Sequence, residues 1–237
     1  MKHRFIILPI VIALTFIGCA TTATNNVLSG GDLYQAAVID AMVAEPDEIF
    51  PLVTLSQEDP LTTWRDGKVL FLTYHRYPES YIAGEDYETK YGEVWVFTDK
   101  ETVKWYKGNK AGVSDWTLRF KQLIGLPEDG KYTHVTAMWV NPADVHRPAF
   151  ERDSTKPVSE VKLPDDVDPA FKEWFNGNII WSYFDSAWPW TRLGYTYDWA
   201  DNGTEYGLSE FIIKKNATVQ VEWTKTTDEF VAWLSIQ

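Results

Sequence analysis

Cys19 is the only cysteine in the 237 residues, and that narrows what the chain can fold into. No disulfide can form within it, so stability must come from a packed core and not from covalent staples. By the same count, a thiolate metal site and a cysteine nucleophile are excluded from the body of the chain. Material for a core is abundant: 45% of residues are hydrophobic, with 12 Trp, 12 Tyr and 12 Phe. About 200 residues of this kind can bury one substantial core as a single domain. Aromatics in this number predict a thick core first and a ligand platform second, because indole and phenol rings suit both uses.

Ahead of Cys19 the chain reads in three zones. Lys2, His3 and Arg4 give a basic start, residues 5–17 are largely apolar, and Gly18 is a small residue before the cysteine. This is the layout of a secretory signal, and the apolar run, interrupted by Pro9, falls short of the roughly 20 residues a permanent membrane helix needs. Phe16-Ile17-Gly18-Cys19 resembles the lipobox of bacterial lipoproteins, with Phe16 standing where Leu is usual. The resemblance implies cleavage before Cys19 and acylation of its sulfur. Residues 1–18 are then the signal peptide, residues 19–31 a lipidated flexible tether, and residues 32–237 the globular domain. Ala20 after the cysteine implies, by the same resemblance, the outer membrane in a Gram-negative cell. In a Gram-positive cell the anchor stays on the extracytoplasmic face of the plasma membrane.

Removing Lys2 and Arg4 with the signal takes the formal charge from −12 to −14. So acidic a body is a poor partner for nucleic acid or anionic head groups, which need clustered Lys and Arg. Membrane attachment is therefore expected from the lipid on Cys19 alone.

Along the body, helical spacing runs from residue 32 to 44 with Asp32 as its cap. Residues 68–74 and 93–98 are rich in β-branched and aromatic side chains and predict strands. Thr98 and Glu101 have capping-box spacing ahead of a helix to about residue 107, and Asp115 opens another that Gly125 and Pro127 close. A strand is expected over 132–140 and a short helix over 168–175, stopped by Asn176-Gly177. A last helix follows Thr226, with Glu229 completing its cap. With no βαβ rhythm, the fold class is α+β: one domain with a mainly antiparallel sheet and several short helices.

Asn202-Gly203 between two strand-like runs predicts a two-residue hairpin turn. That turn sets Trp199 opposite Tyr206, Tyr197 opposite Leu208, Tyr195 opposite Glu210 and Leu193 opposite Ile212. Glu210 is then the one carboxylate on an aromatic and aliphatic face, with the Tyr195 and Tyr197 hydroxyls as its donors. A carboxylate so placed is a candidate general acid or base, and equally a structural hydrogen-bond partner. A slip of one residue would turn it to solvent instead.

His75 and Arg76 end the first strong strand and are the other catalytic candidates. Trp188 and Trp190, spaced by Pro189, form with Tyr195 and Tyr197 the candidate ligand platform. No His-Glu-x-x-His, EF-hand, P-loop, dinucleotide or Gly-x-Ser-x-Gly pattern occurs, so neither a metal nor a cofactor is expected. The order of His75 or Arg76, then Glu210-Phe211-Ile212-Ile213 and Thr218-Val219-Gln220-Val221, looks like the layout of ADP-ribosyltransferases. There an early His or Arg and a late strand Glu act on NAD. Ser209-Glu210 lacks the second acidic residue of one branch of that family. Two functions follow as expectations: a lipid-anchored binding domain of the cell envelope, for a glycan or an envelope protein, or an enzyme using Glu210 with His75 or Arg76.

Overall fold

The most apolar strand, β2 (Lys68–His75), is buried on both faces in the computed structural model, which describes residues 29–185 and 187–237. The expected signal segment, Cys19 and the expected tether up to residue 28 lie outside the described residues. Around β2 stand β1 (Trp64–Arg65), β3 (Asp86–Glu88), β4 (Val94–Thr98), β5 (His134–Val140) and β6 (Val145–His146). Later in the chain come β7 (Tyr195–Tyr197), β8 (Tyr206–Ser209), β9 (Phe211–Ile213) and β10 (Thr218–Thr226). The main sheet runs β3-β10-β5-β2-β4-β9-β6 with β1 added on β2, and β7 pairs only with β8. Every pairing is antiparallel, as the α+β reading expects.

Alternation along β2 divides the core. Val69 and Phe71 pack with Met138, Val140, Phe211 and Val219 on one side. Leu70, Leu72 and Tyr74 face the other, under α2 (Asp99–Asn109), α3 (Trp116–Leu123) and α5 (Thr227–Ser235), which contribute Tyr106, Phe120, Leu123, Phe230 and Leu234. A third cluster gathers Phe171 and Phe175 of α4 (Pro169–Ile180) with Tyr183, Trp190, Leu193 and Tyr195. Each large side chain so buried contributes about 1.5–3 kcal/mol, and this packing replaces the missing disulfides. Among the described residues no helix is long and apolar enough to cross a membrane.

Three local readings change. The first helix, α1 (Gly30–Asp40), begins inside the segment assigned to the tether: Ser29 is its cap and Asp32 the reciprocal capping-box partner. α2 forms, but Thr98 makes no side-chain cap bond, because Glu101 turns inward to Ser209. α4 runs through Asn176-Gly177 and continues as a π-helical turn, Trp181–Asp185. Phe171 and Phe175 anchor it in the third cluster, and Gly177 faces open space, so burial overrides the stop signal.

The C-terminal hairpin exists with another register. Tyr195 pairs with Ser209 and Tyr197 with Tyr206, with a bulge between them. The two-residue turn is displaced by other bonds. Asp198 is held by Arg119 at 2.6 and 2.9 Å, and the Trp199 amide donates to Gln122 of α3 at 3.1 Å. At the bulge, the Thr196 hydroxyl donates to the Leu123 carbonyl and accepts the Leu208 amide. Glu210 therefore falls beyond the ladder, at the break between β8 and β9.

Candidate functional site

β4 pairs with β2 only at Phe71↔Thr98 and Leu72↔Phe97, while Val94, Trp95 and Val96 pair with β9 on the other side. Past Leu72 the ladder between β2 and β4 stops, and residues 73–75 and 93–97 line a cavity of about 330 Å³. Its remaining walls come from Tyr77 and Tyr81, from the residues after α3 (Ile124, Gly125, Leu126), from Tyr132, from the π-helical turn, and from residues 188–190, 196, 197 and 210. The extra residue of a π turn shifts the side chains that follow it, and here the turn supplies Trp181 and Ser182 to the wall. Most of the lining is aromatic or aliphatic.

Both His75 and Glu210 line this cavity, yet their chemistry differs. The Tyr77 amide donates to His75 Nδ1 at 3.1 Å, so the ring proton sits on Nε2 and is donated to Thr136 Oγ1 at 2.7 Å. Thr136 then bonds Thr224 at 2.8 Å, and Thr224 donates to the Tyr81 carbonyl at 2.9 Å. With both nitrogens engaged and burial pushing its pKa down to about 4, His75 is a neutral structural group with no lone pair free to take a proton. Arg76 is exposed beside the Tyr77 ring, donating to its hydroxyl at 2.8 Å, and is not among the lining residues.

Glu210 is placed by its backbone. Its amide donates to the Gly194 carbonyl at 2.9 Å. Gly194 has φ +89°, and a Cβ there would come within 2.8 Å of Arg147 and Leu52 atoms, so only glycine fits. The expected tyrosine donors are absent: Tyr195 donates to Glu48 O and Glu205, and Tyr197 to Asp40. Among the described residues the Glu210 carboxyl has no hydrogen-bond partner, and burial alone pushes its pKa up to about 8. Burial thus favours its neutral form, and the group can donate a hydrogen bond, transfer a proton, or ionise against a cation. The other carboxyl on the wall, Glu93, accepts from Trp174 Nε1 at 2.9 Å and is also raised by burial.

The expected platform divides. Trp190 is 4% exposed, and its Nε1 donates to Pro148 O at 2.9 Å, so it is core that happens to border the cavity. Tyr195 is buried and lines nothing there. Trp188 is half-buried, stacked 6.4 Å from Trp181, which is 49% exposed. Trp188, Trp181 and Tyr197 are therefore the rings among these that can meet a ligand. Sequence reasoning missed Trp181, Tyr81, Glu93 and Trp95. The signal for the last two was the alternation Glu93-Trp95-Phe97, which sends them to one face of β4.

Apart from the cavity, Asp40, Glu48 and Glu205 bring one carboxylate oxygen each within 4.8 Å of one another. Burial, with the neighbouring carboxylates, pushes Glu205 up to about 7 despite the Tyr195 hydroxyl. Proton uptake relieves that crowding, and the phenol bonds account for the cluster's order. No protein-family model matches the chain, and no curated protein or solved structure matches it.

Proposed function

We propose that the chain is a lipid-anchored cell-envelope protein whose domain captures a small, ring-bearing ligand in the aromatic cavity, a glycan unit being the first candidate. One observation carries the reading: a cavity of about 330 Å³ with stacked, partly exposed indoles on its wall and a carboxyl without a partner among the described residues. That volume lies at the small end of the range for small-molecule sites, roughly 300–1,000 Å³. Aromatic faces stack on apolar ring faces, and a single polar group fixes orientation. The lipid half of the reading rests on the basic, apolar, Gly18-Cys19 order.

Use of NAD finds less support. A pyrophosphate needs Arg, Lys or free backbone amides, whereas no Arg or Lys is among the lining residues and His75 has no free nitrogen.

Two measurements test the proposal. Fatty-acid labelling should mark the wild type and leave Cys19→Ser unmarked; equal labelling of both would end the lipoprotein reading. Binding to soluble cell-wall oligosaccharides should weaken at least about tenfold in Trp188→Ala, without turnover. Binding that is indifferent to Trp188 would place the ligand elsewhere.

A further inference from the structure

The polar inventory of the cavity wall limits what can enter. The Thr196 hydroxyl is occupied by Leu123 and Leu208, His75 by Tyr77 and Thr136, and one oxygen of Glu93 by Trp174. Glu210 and the Trp188 Nε1 donor have no partner among the described residues, and two carboxyl groups with no Arg or Lys line the space. An anionic ligand would find no Arg or Lys among the lining residues to balance its charge. A neutral ligand could accept one hydrogen bond from the neutral form of Glu210, whereas a cation would also gain from its ionisation.

We infer that the natural ligand bears an ammonium group, seated against Glu210 among the aromatic rings of the cavity. This rests on the cavity being the binding site, as proposed above. Three independent features favour it. Glu210 against an ammonium gives a charge-assisted hydrogen bond. Trp95, Trp188 and Tyr81 line the wall, and aromatic rings attract a cation through their quadrupoles, indole most strongly. The chain's formal charge of −12 raises the local concentration of cations around it. For a glycan, the consequence is a free amino sugar in preference to its N-acetylated form.

Two matched pairs of probes separate charge from shape: glucosamine with N-acetylglucosamine, and choline with its neutral carbon isostere 3,3-dimethylbutan-1-ol. Calorimetric titration into the full-length chain near neutral pH should show each cation binding about tenfold tighter than its neutral partner or better. Glu210→Gln, which keeps the shape and removes the ionisable group, should erase that preference, while Glu93→Gln should keep most of it. Neutral probes binding as tightly as the cations, with Glu210→Gln unchanged, would overturn the inference and leave the cavity standing as the site. No probe binding even at about 50 mM, far above weak-ligand affinities, would overturn both.

Discussion

Two glutamates, Glu101 buried and Glu210 half-buried, meet the chain at the same joint and live in opposite ways. Glu101 of α2 accepts the Ser209 amide at 2.9 Å, the Ser209 hydroxyl at 3.0 Å and the Tyr206 hydroxyl at 3.3 Å, with the Arg147 guanidinium adding a favourable charge. Glu210, one residue after Ser209, has no such partner among the described residues and borders the cavity. Neighbouring residues of extended chain point to opposite sides, so one joint serves a filled polar network and an empty-handed acid. Burial raises both carboxyls, Glu101 to about 7 and Glu210 to about 8; they differ in their partners and in their access to the cavity. A satisfied group holds the fold, while an unsatisfied one facing a space is available to a ligand.

The largest effect should come from the satisfied side. Arg147 is fully buried and donates to Val53 O at 2.8 Å and to the Ser154 and Lys156 carbonyls at 3.3 Å, its guanidinium 4.7 Å from the Phe211 ring. Arg147→Ala strips those acceptors and leaves Glu101 without its charge partner, so unfolding in urea should show a loss of about 3–5 kcal/mol. A loss under about 1 kcal/mol, as at an ordinary surface site, would erase the distinction between the two glutamates.

Glu101→Gln should cost less. The amide nitrogen meets the donors that now bond a carboxylate oxygen, leaving a buried Ser209 donor without an acceptor, while relief of the buried charge offsets part of the damage. A net loss of about 2 kcal/mol in the same urea experiment is expected. A gain in stability would mean that desolvation outweighs the network, and that Glu101 behaves like Glu210.

How much of this was legible in the sequence follows from the range of the interactions. β2, β4, β5, α3 and α5 were readable because β-branched runs, periodicity and caps such as Asp115 and Thr226 act within a few residues. Glu210 stood out as a carboxylate in an apolar run, and the cavity that it shares with His75 was posed by their strand ends. Its register was not readable. The Asn202-Gly203 signal is local, whereas the bonds that displaced it, Arg119 to Asp198 and Trp199 to Gln122, join the hairpin to α3 across more than seventy residues. The same holds for α4, whose stop signal lost to burial of Phe171 and Phe175, and for His75, whose neutrality depends on Thr136 and Thr224 from two other strands. Glu101 read as a cap because a capping box needs only spacing, and its true acceptor role needs Ser209.

The smallest expected change is the most direct test of the contrast, since it should have the opposite sign. Glu210→Gln removes no hydrogen bond to a described residue, so nothing is lost that resembles the Glu101 network. In the wild type the folded-state pKa, about 8, lies above the ordinary 4.5, so between those values the native state binds the proton more tightly than the unfolded chain does. Stability from this group is then fully present below pH 4.5 and is lost as pH rises towards 8, by at most about 1.4 kcal/mol for each pH unit in that window. Glutamine does not titrate and escapes the loss. Glu210 is half-buried, so solvent screening lowers the gain well below that limit, and Glu210→Gln should be more stable than the wild type by about 1 kcal/mol at pH 8. The difference should fade towards pH 4.5. His75, His146 and Glu101 titrate in both proteins and cancel when the two urea curves are subtracted. A variant less stable than the wild type at pH 8 would mean that Glu210 has a partner in the folded protein after all, and would place it with Glu101 among the residues that hold the fold.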